Sequence, residues 1–343
     1  MWFAETIESG LAIRRLMFNF MPSWWLRHYG LGWGRHMFFD PDHRVACHQR
    51  MRRLMHERFS TMPIGASNPP AEVIAPELNN AVTPALAGCE VHFPEDNYPW
   101  SEHLPPEKIR RLTLPDDLAT CFPFTEVDKQ VAYLNEKLGA RAVPRWYVRG
   151  VLNDAVLLCG SSLFEDFYAD TASVGRVLDY THALLSFVIA HNHSVGDRSP
   201  VMLCNCSVMM VSPELYGQRI LAHDRDICDS VAALGLPVAL HHCGNFDRYA
   251  DRYRSIQGFD FIEIGSESDI RLALNTFPES DIQYIVDARF LAGSCRRDVS
   301  ELMERILDAA RGDWHRFRLN VPDIDFGTPD ENLIEIFERC TTA

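Results

Sequence analysis

The sequence predicts a (β/α)8 TIM-type barrel with an N-terminal helical extension. Over the C-terminal two-thirds, short apolar runs alternate with amphipathic helical stretches, and the candidate strands number about eight. Repeated strand–helix units require parallel strands joined by right-handed crossovers, and that number favours a closed barrel over an open doubly wound sheet. No GxGxxG and no P-loop follows any of these strands, which argues against a nucleotide-binding sheet. The 343 residues are read as one barrel domain, with residues 1–60 as the extension and 61–343 as the barrel.

Ile13, Leu16, Met17 and Phe20 recur at helical spacing and predict a first helix, and a second covers about 42–59. Residues 61–123 are rich in proline, with Pro105-Pro106 as loop punctuation and strands placed near 62–67 and 88–93. Val127, Val131, Leu134 and Leu138 form the stripe of a helix over 125–139 that ends at Gly139. Six further strands are placed near 145–151, 201–206, 236–243, 259–265, 282–287 and 314–321. The most explicit helix runs over 212–234. Ser212 can cap it, Pro213 suits its first position, Ile220, Ile227, Val231 and Leu234 share a face, and Gly235 stops it. A helix over 295–310 carries Val299, Leu302, Ile306 and Leu307 and stops before Gly312.

The composition, 47% hydrophobic and 23% charged, is that of a globular enzyme. Lys+Arg 33 against Asp+Glu 47 gives 33 − 47 = −14, a surplus that repels phosphate backbones and excludes a nucleic-acid partner. No apolar run approaches the ~20 residues of a membrane span, and Met1-Trp2-Phe3-Ala4-Glu5 does not read as an export signal. A cytoplasmic setting is expected. The ten cysteines are scattered and include no CxxC pair, so most are read as reduced, and any metal site must draw on residues distant in sequence.

The segment richest in chemistry is Val238-Ala239-Leu240-His241-His242-Cys243-Gly244-Asn245, an apolar strand that turns polar and meets a glycine. Alternation points His241 and Cys243 the same way and His242 the other. An imidazole and a thiolate on one face fit two corners of a zinc tetrahedron, at the strand end where barrels place their chemistry. Catalytic zinc normally takes three protein ligands and keeps one open position. Three places offer the third: Cys206 in Leu203-Cys204-Asn205-Cys206, Asp323 (with Asp325) just past the last strand, and Glu263 in Phe261-Ile262-Glu263-Ile264. A carboxylate within so apolar a strand needs a cation, a metal or a hydrogen-bond partner. Asn245 can hydrogen-bond a ligand.

Three segments resemble the uroporphyrinogen decarboxylase superfamily: Arg149-Gly150-Val151-Leu152-Asn153-Asp154-Ala155, then Ser212-Pro213-Glu214-Leu215-Tyr216 with the His241-to-Asn245 stretch, then Gly327-Thr328-Pro329-Asp330-Glu331-Asn332-Leu333. The likeness runs over roughly 140–340. It implies a (β/α)8 barrel, and one of two activities: porphyrinogen decarboxylation, or zinc-dependent methyl transfer between a corrinoid and a thiol or similar acceptor. The H-x-C-G-N stretch looks like the methyltransferase branch, in which that His, that Cys and a later Cys hold zinc. Carried over, His241 and Cys243 are ligands. The later cysteine is not where the pattern wants it, because the region reads Asn320-Val321-Pro322-Asp323 and Cys295 opens a helix; either Asp323, Cys206 or Glu263 completes the set, or the metal is bound differently. Glu263 and Asn245 are the catalytic candidates, and Arg149, Asn153, Asn205 and Tyr216 the substrate-binding candidates; the resemblance further implies a methyl-carrying corrinoid (methylcobalamin) on a separate protein. A homodimer is compatible with scattered aromatics such as Trp100 and Trp146. The alternative is a metal-free decarboxylase acting on a polycarboxylate, for which Trp25-Leu26-Arg27-His28-Tyr29-Gly30 is a partial echo of an arginine loop.

Overall fold

The computed structural model describes residues 3–115, 117–147, 149–256 and 258–342. Nine strands occur among them: β1 (Phe3–Ile7), β2 (Arg15–Phe20), β3 (Val91–His92), β4 (Trp100–Ser101), β5 (Val201–Cys204), β6 (Val238–His242), β7 (Phe259–Ile264), β8 (Asp281–Ile285) and β9 (Phe317–Ile324). β3 and β4 make a small antiparallel pair, while the other seven form one sheet in the order β1-β2-β9-β8-β7-β6-β5. Every pairing in that sheet is parallel except β1 with β2. Helices cover the crossovers, as parallel strands demand, and the strands are correspondingly buried on both faces: all five residues of β8 are buried. No helix among the described residues is long and apolar enough to cross a membrane.

The α/β class and the five C-terminal parallel strands agree with the sequence reading, but the closed eight-stranded barrel is not found. Among the described residues no strand joins β1 to β5, and the sheet is a half-barrel. Of the two early strands expected, 62–67 forms turns, and 88–93 contributes only β3. The strand expected at 145–151, whose Val148 lies outside the described residues, runs beside β5 without a ladder. It is tied down instead by the Asn192 amide, which bonds Trp146 O at 2.7 Å and receives Trp146 N at 3.2 Å, and by Gly150 N to Cys204 O at 2.7 Å.

The N-terminal extension is also corrected. The segment read as a helix from Ile13, Leu16, Met17 and Phe20 is β2, and the first helix starts only at Pro22. Leu16, Phe18 and Phe20 are buried by β9 on one side and β1 on the other, so a period of two was present beneath the period of four. The helices Pro41–Arg58, Phe124–Leu138 and Arg296–Ala309 fall where expected. The long helix over 212–234 is two, Pro213–Arg219 and Leu221–Ala233, hinged at Ile220. Ser212 caps the first by accepting from Leu215 N at 3.1 Å.

Candidate metal centre

The parallel register puts four polar side chains at one level. Cys204 pairs with His241, His241 with Glu263, and Glu263 with Gln283 across β5, β6, β7 and β8. This level lies near the carboxyl ends of the strands, where the next turns also emerge. Cys206 opens a 3-10 turn, Cys206–Met210, right after β5, and Cys243 follows β6 directly. The result is a cluster in which one ligand atom each of Cys206, His241 and Cys243 lies within 4.8 Å of the others.

This cluster fits a zinc ion. With Zn–S near 2.3 Å and Zn–N near 2.0 Å, tetrahedral geometry puts neighbouring ligand atoms about 3.5–3.8 Å apart; the His241 Nε2 to Cys206 Sγ separation of 3.1 Å is a hydrogen-bond distance that would open by a few tenths of an ångström around an ion. Two sulfurs and one imidazole also leave a fourth position for substrate. His241 is oriented from behind: its Nδ1 bonds the Glu263 carboxylate, which leaves Nε2 turned toward the sulfurs. Glu263 is held in turn by Gln283 Nε2 at 2.6 Å and by Asn320 Nδ2, and Asn320 Oδ1 accepts from Asn19 Nδ2 at 2.8 Å. A buried carboxylate is costly unless it is bonded, and Glu263 accepts from three side chains.

The electrostatics follow. Burial alone would lower the His241 pKa, but the Glu263 carboxylate and Cys206 outweigh it and hold the ring's pKa well above the usual value. Burial would raise Glu263, and His241 with the two amides brings it below the carboxylate range instead. Cys206 keeps its proton: its bond to Cys243, together with burial, pushes its thiol up to about 12. The same bond pulls Cys243, which faces solvent, downward. His242 points to the other side, buried among Phe246, Tyr249 and Tyr253, with Nδ1 3.0 Å from the Tyr253 hydroxyl. Burial, with His241 adding to it, lowers its pKa to about 4, so it stays neutral.

The remaining predicted residues are distributed as follows. Asp323 lies inside β9, one residue before its end and not past it as expected, with a left-handed backbone (φ 56°); it is outside the ligand cluster but close enough for His241 to oppose the desolvation that raises its carboxyl. Asp325 accepts from Ser23 Oγ. Cys295 caps the helix Arg296–Ala309. Asn245 spans to Glu267 O at 3.0 Å, tying the loop after β6 to the one after β7. Arg149 reaches to 3.9 Å from Cys204 Sγ and bonds Asn79 Oδ1; burial opposes its charge, and Cys204, Asp154 and Glu77 more than restore it. Asn153 Oδ1 accepts from Ser207 N at 2.6 Å, one residue past Cys206. Asn205 and Tyr216 are fully buried, and both bond Asp224. Gln283, Asn320 and Asn19, which support Glu263, are absent from the sequence reading, although each carries the signal that marked Glu263: a polar residue inside an apolar strand.

Two glycines make the site possible. A Cβ on Gly265 would run into the backbone of Cys243, and one on Gly150 would meet the Asn205 side chain and, at 2.6 Å, Cys204 O. The turns carrying the cysteines therefore pack directly on neighbouring backbone. A separate apolar recess, lined by Phe3, Trp33, Met37, Phe38, Met51 and Ile74, contains none of the three clustered residues.

A mostly parallel, curled α/β sheet with its polar cluster at the carboxyl ends of the strands is the arrangement in which α/β enzymes place their chemistry. The family model of uroporphyrinogen decarboxylase (URO-D) matches residues 76–342, and the chain belongs to that family. No curated protein sequence matches it. Among solved structures it is similar to a methyltransferase from Methanosarcina mazei, with a TM-score of 0.64 and 15% identity over 92% of this chain and 88% of that one. It is also similar to a putative vitamin-B12 independent methionine synthase from Listeria monocytogenes, at a TM-score of 0.41 and 15% identity over 64% of this chain and 68% of that one.

Proposed function

We propose that this protein is a zinc-dependent methyltransferase that moves a methyl group between a corrinoid carrier and a thiol or other small acceptor or donor. The observation that carries the reading is the Cys206–His241–Cys243 cluster with Glu263 bonded behind the imidazole. Cys206 thereby takes the place of the third ligand, and Asp323 remains at the rim. A bound zinc ion would remove the proton from a substrate thiol and leave a nucleophile at neutral pH.

The chain's own residues prepare the site for it. Glu263 fixes the orientation of the His241 ring, with Nδ1 toward the carboxylate and Nε2 toward the sulfurs, where it would ligate once its proton is displaced. The two cysteines add negative charge, which keeps a thiolate bound beside them electron-rich. Arg149 and Asn153 flank the corner after β5 and are positioned to bind substrate, and Asn245 braces the loops over β6 and β7. Met209, Met210 and Phe326 are exposed at the same end of the sheet and suit the docking of a separate corrinoid protein. A cytoplasmic enzyme, acting as a homodimer, completes the reading.

The electrostatics count against the metal-free decarboxylase. A polycarboxylate needs several cations, whereas Arg149 lies among Cys204, Asp154 and Glu77, and the charge of His241 is already matched by Glu263 with Asp323 nearby. The decisive experiment is elemental analysis of the purified protein together with incubation with methylcobalamin and a panel of thiols. Stoichiometric zinc and thiol-dependent demethylation are expected, with both lost in His241→Ala and Cys243→Ala. Full zinc occupancy in the double variant, or metal-free protein that releases CO2 from a polycarboxylate, would overturn the reading.

A further inference from the structure

The corner that carries Cys206 is held from behind by a carboxylate sealed away from solvent. Asp224, in the helix Leu221–Ala233, is fully buried. Its Oδ2 accepts from Asn205 Nδ2 at 2.7 Å and from the Tyr216 hydroxyl at 2.8 Å. Asn205 is the single residue between Cys204, the last of β5, and Cys206, the first of the 3-10 turn, and its φ of −106° and ψ of 39° make the bend between them. The backbone of the same corner is tied on three sides: Asn205 N to His241 O at 2.7 Å, Gly150 N to Cys204 O at 2.7 Å, and Ser207 N to Asn153 Oδ1 at 2.6 Å.

To these backbone ties the amide clamped by Asp224 adds one through the Asn205 side chain, from the opposite side of the bend. We propose that Asp224, acting through Asn205, is a positioning residue that holds Cys206 Sγ at ligand distance from His241 and Cys243. An apolar residue of similar volume would fill the space behind the corner at lower cost, since burying a carboxylate is expensive even when it is bonded. A carboxylate supplies directional acceptors that an apolar side chain lacks. Two donors from two different elements, the β5 corner and the helix Pro213–Arg219, converge on the same oxygen. Metal sites tolerate only a few tenths of an ångström in ligand placement, so a clamp on the neighbouring residue acts directly on affinity. This assigns Asn205 and Tyr216 to holding the corner instead of to substrate. The inference rests on Cys206 being a ligand, as in the reading above.

The test uses the full-length protein with Asn205→Ala, Asp224→Asn and Tyr216→Phe, and measures zinc affinity by competition with a chromophoric chelator. Asn205→Ala and Asp224→Asn are expected to weaken zinc binding by about tenfold or more, within the range seen when supporting partners of ligands are removed, and Tyr216→Phe by less. Leu333→Ala, in the helix Asp330–Thr342 outside the site, serves as a control destabilised to a similar degree, and its zinc affinity is expected to be unchanged. Affinities within twofold of wild type in both Asn205→Ala and Asp224→Asn would overturn the proposal. So would a loss in Leu333→Ala as large as theirs. If Asp224→Asn does not fold, Asn205→Ala and Tyr216→Phe carry the test. A wild-type protein that binds no zinc overturns the metal reading instead. The position of Cys206 is then read in that metal-free protein from the rate at which diamide, which takes two electrons and two protons from a thiol pair, joins Cys206 to Cys243. Slower joining in Asn205→Ala supports the clamp, and an unchanged or faster rate overturns it.

Discussion

Glu263 accepts hydrogen bonds at both oxygens, from His241 on one side and from Gln283 and Asn320 on the other. A glutamine there must turn its NH2 toward one of those donors, so Glu263→Gln breaks the support on one side while preserving shape. A 10–100-fold loss of zinc affinity is expected, a magnitude of about the usual size for this kind of partner, with little change in the melting temperature; a chelator competition measures it, and an unchanged affinity would separate Glu263 from the metal. Glu263 was legible because a charge in an apolar strand demands a partner; Gln283, Asn320 and Asn19 carry the same kind of signal more weakly, since an uncharged amide costs less to bury. Other buried carboxyls act on stability. Burial raises Asp154 to about 7 against the pull of Arg149 and Thr83, and raises Asp224 to about 6 against Asn205, Tyr216 and Val151. Their folded pKa values exceed the unfolded 3.8, so the folded chain holds more protons between about pH 4 and 7 and loses stability as pH rises through that window. In Asp154→Asn the decline between pH 5 and 7 should flatten by up to about 1.4 kcal/mol per pH unit, one proton's worth. Urea denaturation at several pH values checks it, and parallel curves for the two proteins would show that Asp154 does not take part.

The elements that bear the site are those whose pattern is least ambiguous. β6 was readable because His241 and Cys243 share its inner face and His242 does not, and the structure puts His241 against Cys206 and Glu263 while His242 packs on Tyr253. Cys206 stayed one of three alternatives, because the fact that β5 lies beside β6 is a property of the sheet and not of either strand's sequence. β2 was misread for a different reason: Ile13, Leu16, Met17 and Phe20 match helical spacing, while the residues the sheet buries, Leu16, Phe18 and Phe20, alternate beneath it. The break at Ile220 was equally hidden, since its flanking stretches both favour helix and only packing decides that Tyr216 and Asp224 face the same corner. Gly265 exposes the constraint between elements most directly. It follows β7, and a Cβ there would strike the Cys243 carbonyl group, which is backbone and cannot swing aside. Gly265→Ala should cost about 1–3 kcal/mol, as overpacking does, and should lower zinc affinity in the same variant by displacing Cys243. A variant with wild-type stability and zinc content would show that the β6 and β7 turns do not share this contact.

At the scale of the whole molecule, the order of the sheet gives the first twenty residues a structural task. β9 is the last strand in sequence but lies inside the sheet, because β2 pairs with it in parallel from Arg15↔Arg318 to Phe20↔Ile324, and β1 covers β2 in turn. An N-terminal extension would be dispensable; this segment is not one. Removing residues 1–20 would leave β9 with an open edge, which invites pairing with other chains. It would also take Leu16, Phe18 and Phe20 from the core and uncover Trp24 and Trp25, all of them buried. Three such side chains at about 1.5–3 kcal/mol each amount to roughly 5–9 kcal/mol, which is comparable to the whole stability of a typical domain, about 5–15 kcal/mol. The Asn19 amide behind Asn320 and Glu263 would go with them, so the loss reaches the Cys206–His241–Cys243 cluster through the same segment. The shortened chain is therefore expected to aggregate or to melt without a cooperative transition, and to hold no zinc. Circular dichroism against temperature and size-exclusion chromatography of the chain starting at Met21 measure this. A cooperative melt within a few degrees of the full-length protein would mean that β8 and β9 close the core without help from the N-terminus.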